Sequence, residues 1–204
     1  ILWSGERLRQ APHVITTVHP AATLQPSLVT RERYEGALTF AQHIDMALKN
    51  REWWHSAYRV ARVDSDLNAR ARSLSRRWYL VALSEDWCGD AVNVLPYVAR
   101  LVELSPDTLE LRVLNRDANL DIMNAHMTGH SRAIPIILAL DSDFTEHGWW
   151  GPRPAELQER ATGEWWILPK DDRRLRIRSW YARDRGRQTL DELLHLLETA
   201  EQRR

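Results

Sequence analysis

Cysteine is nearly absent from this 204-residue chain, which holds a single one, Cys88. No disulfide can therefore form within the chain, and that fits a reducing compartment. Long apolar runs are missing too: no stretch approaches the roughly 18 to 20 residues that cross a bilayer. The opening Ile1-Leu2-Trp3-Ser4-Gly5-Glu6-Arg7 lacks the apolar stretch of a signal peptide. The cytoplasm is the expected location, and a start at Ile1 in place of methionine suggests residues lost from the front. Net charge is also absent, since 28 Lys+Arg balance 28 Asp+Glu, which excludes a global field for nucleic acid. Repeats and low-complexity tracts do not occur.

What is present belongs to an ordinary globular protein. Hydrophobic residues make up 44% and charged residues 27%, too much of the first for disorder, and the length suits one medium domain with decorations. Residues 1–29 carry Pro12, Pro20 and Pro26 without a sustained period and read as an irregular arm. Thr30 and Thr39 can each cap a helix, with Tyr34, Leu38, Ala41, Ile44 and Leu48 at helical spacing through about Asn50. Asp64-Ser65-Asp66 starts another helix, carrying Leu67, Ala71 and Leu74 and ending near Arg76-Arg77.

Uncharged and apolar, Trp78 to Leu83 predicts a strand buried on both faces. Cys88 to Leu104 follows with Ala91, Leu95, Val98, Ala99 and Val102 along one helical stripe. Leu109, Leu111 and Val113 give a second strand, Asp117 to His126 a capped helix, and Ile134 to Leu140 a third strand with a proline at its mouth. Phe144 to Trp150 can return as its hairpin partner, and Gly151-Pro152-Arg153-Pro154 opens a helix through about Thr162. The order from Trp78 to Thr162 is thus βαβαββα. Beyond it lie an arginine-rich segment and a final amphipathic helix on Leu190, Leu193, Leu194 and Leu197.

A cysteine just past a buried strand, at the first turn of a helix, meets unpaired N–H groups and the positive end of the helix dipole, and both favour thiolate. Glu85, Asp86 and Asp90 oppose this, because nearby carboxylates disfavour a second negative charge. Two fates stay open for Cys88: an activated nucleophile, or the small buried hydrophobe that free cysteines commonly are.

Trp87-Cys88-Gly89 resembles the start of the thioredoxin motif Trp-Cys-Gly-Pro-Cys at the same strand-to-helix junction. Pro96 inside the next helix, Asn115-Arg116-Asp117-Ala118-Asn119, Ile134-Pro135 and Gly151 are similar to further landmarks of that family, over about Trp78 to Thr162. The string Ser84 to Ala91, with Arg116-Asp117 and Trp149 to Pro154, looks closer still to a bacterial thioredoxin-family group with little assigned function. The resemblance implies an α/β, thioredoxin-like fold, a central mixed sheet flanked by helices, with helical extensions at both ends. The divisions expected are an N-terminal arm and helical extension over 1–75, a core over 76–163, and a C-terminal extension over 164–204 packed on the same domain.

By the same resemblance Cys88 stands at the nucleophile position, in a loop with Asp86, Trp87, Gly89, Asp90 and Ala91. A cis Pro135 would turn the backbone of Ala133 and Ile134 toward the thiol, where it can hydrogen-bond an extended partner. Two departures matter. Ala91 stands where the resolving cysteine would be, which excludes a dithiol cycle, and Ala82 stands six residues before Cys88 where thioredoxins bury an acid.

Other constellations are weaker. His126 and His130 flank Gly129 and have no obvious third ligand, so they read as surface or capping histidines, and no metal site is expected. Eight cations from Lys170 to Arg187 surround Trp180-Tyr181, a mixture that could contact nucleic acid or an acidic partner, yet Asp171, Asp172, Asp184 and Asp191 dilute them; a solvated face is expected, with Leu175 and Ile177 turned inward. Of the pairs Trp53-Trp54, Trp149-Trp150 and Trp165-Trp166, one member each is expected in the core, and Trp149 or Trp150 is the candidate for lining a groove beside Cys88.

Two functions compete at this point. In the first, the Cys88 thiolate attacks a disulfide or S-thiolated protein, with no cofactor but with glutathione or a similar low-molecular-weight thiol as co-substrate resolving the adduct. In the second, the chain is a non-enzymatic module that binds a protein partner through the groove. Neither calls for nucleic acid or a membrane.

Overall fold

The structure is a computed structural model that describes residues 17–203. The expected irregular course over residues 1–16, Pro12 included, lies outside the described residues. From Val18 to Pro26 the chain is strand β1 and not an irregular arm. It runs antiparallel to a later strand, with an irregularity between Pro20 and Gln25. An edge position explains how two prolines are tolerated, since one side of an edge strand needs no ladder donors.

Thr30 and Thr39 cap as expected, but they cap two short helices, α1 (Arg31–Glu35) and α2 (Phe40–Asp45), the second with a full capping box. The break between them rephases the chain, so that Phe40, His43 and Ile44 are buried while Ala41 is exposed. Leu38, in the break, bridges to the β-sheet edge at Val113. Past the end of α2, Leu48 is 92% exposed. Helix α3 (Arg51–Val60), which the sequence reading left out, buries Trp54, and α4 (Ser65–Arg72) starts at its Asp64 N-cap as expected.

The βαβαββα order then appears in full. Strand β2 (Trp78–Ser84) is buried at every residue but Tyr79, helix α5 (Gly89–Leu104) contains Pro96, and β3 (Leu109–Asn115) lies parallel to β2. Helix α6 (Leu120–Ala125) is shorter than its sequence pattern and is followed by β4 (Ile136–Leu140) and β5 (Thr145–Trp150). Helix α7 (Ala155–Thr162) closes the unit. The arginine-rich segment is helix α8 (Lys170–Asp184), and α9 (Arg187–Gln202) buries all four leucines expected of it.

Strand order is β1-β5-β4-β2-β3. The β2–β3 pair is parallel and β2–β4, β4–β5 and β1–β5 are antiparallel, giving the mixed sheet expected from the resemblance. Both β2 and β4 sit between neighbours, and their near-complete burial is why their sequences carry no polar alternation. Helix α9 packs against β1, β5, α4 and α5, while α3 packs on α5. The segments before β2 and after α7 therefore rest on the same sheet-and-helix body, and both reach the end of β2 from which the Cys88 loop departs.

Candidate functional site

Strand β2 ends at Ser84, and the chain turns through Glu85, Asp86 and Trp87 before Cys88 becomes the N-cap residue of α5. The Cys88 N–H closes the turn on the Glu85 carbonyl at 3.1 Å. Glu85 itself is buried and accepts from the Asp117 N–H at 2.9 Å, which ties the loop to the end of β3. Opposite lies the Ile134–Pro135 bond, which is cis. The Cys88 Sγ donates to the Ile134 carbonyl at 3.3 Å, and the residue is 6% exposed. Gly151 backs Pro135 at φ 140°, and a Cβ there would collide with the Pro135 carbonyl oxygen, so the close approach of the two segments requires glycine. Gly151–Pro152 is a second cis bond.

Around the thiol the charges are organised. Asp90, in the first turn of α5, accepts a two-pronged pair from Arg153, Nε to Oδ1 at 2.9 Å and Nη2 to Oδ2 at 2.7 Å. The Tyr181 hydroxyl, buried on α8, donates to Oδ1 of the same carboxylate at 3.0 Å. The competing influences on Cys88 now resolve. Burial first, and the Asp90 charge second, push the thiol up to about 11, against the N–H groups of Ala91 and Asp90 and the Arg153 guanidinium, which favour thiolate. A thiol at about 11 is ionised to only about one part in ten thousand at pH 7. The helix-terminus effect is present and outweighed.

The other end of the loop is held from the N-terminal side. Asp86 Oδ2 accepts the backbone N–H groups of Leu48 and Lys49, each at 2.8 Å, and its carbonyl accepts from Asn50 Nδ2 at 3.2 Å and Trp54 Nε1 at 3.0 Å. Trp53, the partly buried member of its pair, lies against Gly89. Trp87 is 42% exposed and carries the Arg116 guanidinium 4.9 Å over its ring. Ala91 and Ala82, both fully buried, offer Cys88 neither a thiol nor an acid.

The structure thus gathers Asp86, Trp87, Cys88, Gly89, Asp90, Ala91, Ile134 and Pro135, with Ala133 half-buried just before them. Trp149 and Trp150 are engaged elsewhere. Trp149 stacks on His19 at 3.7 Å between centroids, and the Trp150 indole, fully buried, donates to Glu192 at 2.7 Å. Trp54, Trp150 and Trp165 are the core members of the three pairs. His126 is buried, bonded to the Ile122 carbonyl and to Glu146, and is not a surface residue, although it does cap α6; His130 is exposed. Among the described residues no group of three or more His, Cys, Asp or Glu gathers as a metal site, and no helix is long and apolar enough to cross a membrane. Sequence reasoning met Tyr181 only within the basic segment and Trp53 only as one of a tryptophan pair, and tied neither to Asp90 or Gly89. It quoted Arg153 only as part of a string; an arginine between two prolines, directly after the strand that pairs with the one at Pro135, was the available signal.

The profile of a thioredoxin family matches residues 37–166 of the chain. No curated protein matches it. Among solved structures, a protein of unknown function from Pseudomonas aeruginosa superposes with a TM-score of 0.64 at 20% identity, over 82% of this chain and 95% of its own. An HIV epitope scaffold superposes with a TM-score of 0.65 at 20% identity, over 82% of this chain and 96% of its own. At that identity the likeness is one of fold.

Proposed function

This chain belongs to the thioredoxin family, and from that premise we propose that it works as a non-enzymatic binding module, engaging a protein partner through the groove at Cys88 and Pro135 while Cys88 stays protonated. The observation that carries this reading is the state of the thiol. It is buried, it donates to the Ile134 carbonyl, and it sits beside Asp90. A nucleophile needs the opposite: exposure and a thiolate population near neutral pH. With Ala91 in place of a second cysteine, the loop has no internal resolver either.

One observation favours the monothiol reading. The first-turn N–H groups and Arg153 already stabilise a thiolate, so an event that withdrew the Asp90 charge and opened the burial would activate Cys88. Its Sγ would then attack a disulfide or S-thiolated protein, expelling one sulfur as thiolate, and a glutathione-like thiol would attack the mixed disulfide and regenerate Cys88.

The rate of Cys88 alkylation against pH, with mass spectrometry for a glutathione adduct, separates the two. The binding module requires an inflection at 8.5 or above and no adduct that added thiol releases. An inflection below about 7 with reversible adduct formation sinks it in favour of monothiol exchange.

A further inference from the structure

Beside the Cys88 loop lies an open cleft of about 490 Å³ with one-sided charge. One side is the start of α5, where Gly89, Asp90 and Asn93 meet Trp53; the other is a face of α8. Lys170, Arg173, Arg174 and Arg178 all line it, at the three- and four-residue spacing that puts side chains on one helix face. Asp171 and Asp172 do not line it. Asp90 is the single carboxylate on the lining, and Arg153 and Tyr181 already occupy it. Arg174 pairs with Asp171 at 3.4 Å, both largely exposed, but among the described residues Lys170, Arg173 and Arg178 form no ion pair.

The guanidinium groups are also pre-set. Arg178 lies 5.1 Å over the Trp53 ring and Arg173 lies 4.8 Å over Trp166, while donating to the Trp166 carbonyl. Stacking of this kind reduces the freedom a guanidinium loses on pairing with an oxyanion. Zero net charge over the whole chain makes this local excess a concentrated feature. The cations repel one another along one wall of a cleft whose volume falls in the range of small-ligand sites, roughly 300 to 1,000 Å³, and an anion would relieve that repulsion.

We infer that this cleft binds a small multivalent anion bearing phosphate or carboxylate groups, held by Lys170, Arg173 and Arg178. The inference stands apart from the state of Cys88, because no step of it uses the thiol. Isothermal titration of the full chain with tripolyphosphate and with citrate, in about 0.15 M salt, tests it. One-to-one binding is expected, and the stronger of the two probes assigns the anion chemistry. Arg173→Gln with Arg178→Gln should weaken binding about tenfold, each arginine supplying a charge-assisted pair. Arg176→Gln with Arg183→Gln, on the same helix but off this cleft, should change it less than about twofold. Circular dichroism confirms folding of each variant, and the milder Lys170→Gln repeats the test at an exposed position. Cys88→Ser should bind as the parent does, so a failed titration and a reactive thiol are separate results. No binding of either probe, or equal loss in the off-cleft pair, overturns the assignment.

Discussion

Asp86 and Asp90 stand at the two ends of one loop and do opposite work. Asp86 meets neutral donors: two backbone N–H groups donate to its carboxylate, and its own carbonyl accepts from an amide and an indole. Asp90 meets a charged fork and a buried hydroxyl. The first arrangement fixes the path of the backbone. The second fixes how much charge the thiol feels, and it is Asp90 and Arg153, not Asp86, that act on Cys88. The two ends of the chain thus serve one site in different ways. The segment before β2 holds the shape of the loop, while the segment after β5 sets its electrostatics.

The largest effect is expected at Arg153. Arg153→Met leaves Asp90 half-buried beside Cys88 without its cation, and removing one partner of such a pair costs about 3 kcal/mol. Urea unfolding at pH 7 should show that loss, and the Cys88 alkylation inflection should move upward because a thiolate-favouring charge is gone. A variant as stable as the parent would mean that the pair is not the fastening described. On the Asp86 side the largest effect is one of pH. His43 packs edge-on to Trp54 with Nε2 buried and unpartnered, and burial lowers it to about 4 although the Asp86 charge pulls the other way.

An unfolded histidine titrates near 6.5, so the unfolded chain takes up a proton that the folded chain refuses as pH falls from about 6.5 to about 4. Stability contributed by neutral His43 is full above 6.5 and drains over that window, by on the order of 3 kcal/mol. His43→Phe should flatten the acid limb of stability against pH. If His43 instead titrates above 6.5 by NMR, then Asp86 is acting as a charge partner and the contrast with Asp90 collapses.

Smaller substitutions sharpen the contrast. Asp86→Ala strands the Leu48 and Lys49 N–H groups at a loss of about 1 to 2 kcal/mol, with the Cys88 inflection unmoved. Asp90→Asn should do the reverse to the thiol, bringing its inflection below about 11. Alkylation rates of the two variants at one pH decide this: equal rates would show that position in the loop, and not charge partner, governs the sulfur.

These long-range fastenings were the illegible part of the sequence. The unit from Trp78 to Thr162 could be read because strands covered on both faces must be apolar runs, and because Gly151 marks the end of the last one; ahead of it, Thr39 and Asp64 mark two helix starts by local chemistry. Strand β1 could not, since its pairing to β5 and not its own pattern makes Val18 to Pro26 extended. Leu175 and Ile177 were both expected inward, but in helix α8 residues two apart point to nearly opposite sides. Ile177 packs on the core and Leu175 is 65% exposed. The cysteine, its loop and Pro135 were legible as positions. Whether the sulfur is charged depends first on its burial and then on Asp90, whose partners Arg153 and Tyr181 come from far along the chain, and a charge pattern read along one dimension holds no sign of that meeting.

Tyr181 is where the smallest effect says the most. Its ring is buried on α8 and would stay so in Tyr181→Phe, so the substitution removes one donor to Asp90 Oδ1 and leaves both Arg153 contacts. The loss should be about 1 kcal/mol, or about 2 to 4 °C in thermal midpoint for a domain of this size. Asp90, less fully satisfied, would then weigh more heavily on the thiol, and the alkylation inflection should rise slightly. A fall would show that the hydroxyl had been crowding the sulfur and not steadying the carboxylate, and the electrostatic role given to the C-terminal segment would pass to Arg153 alone.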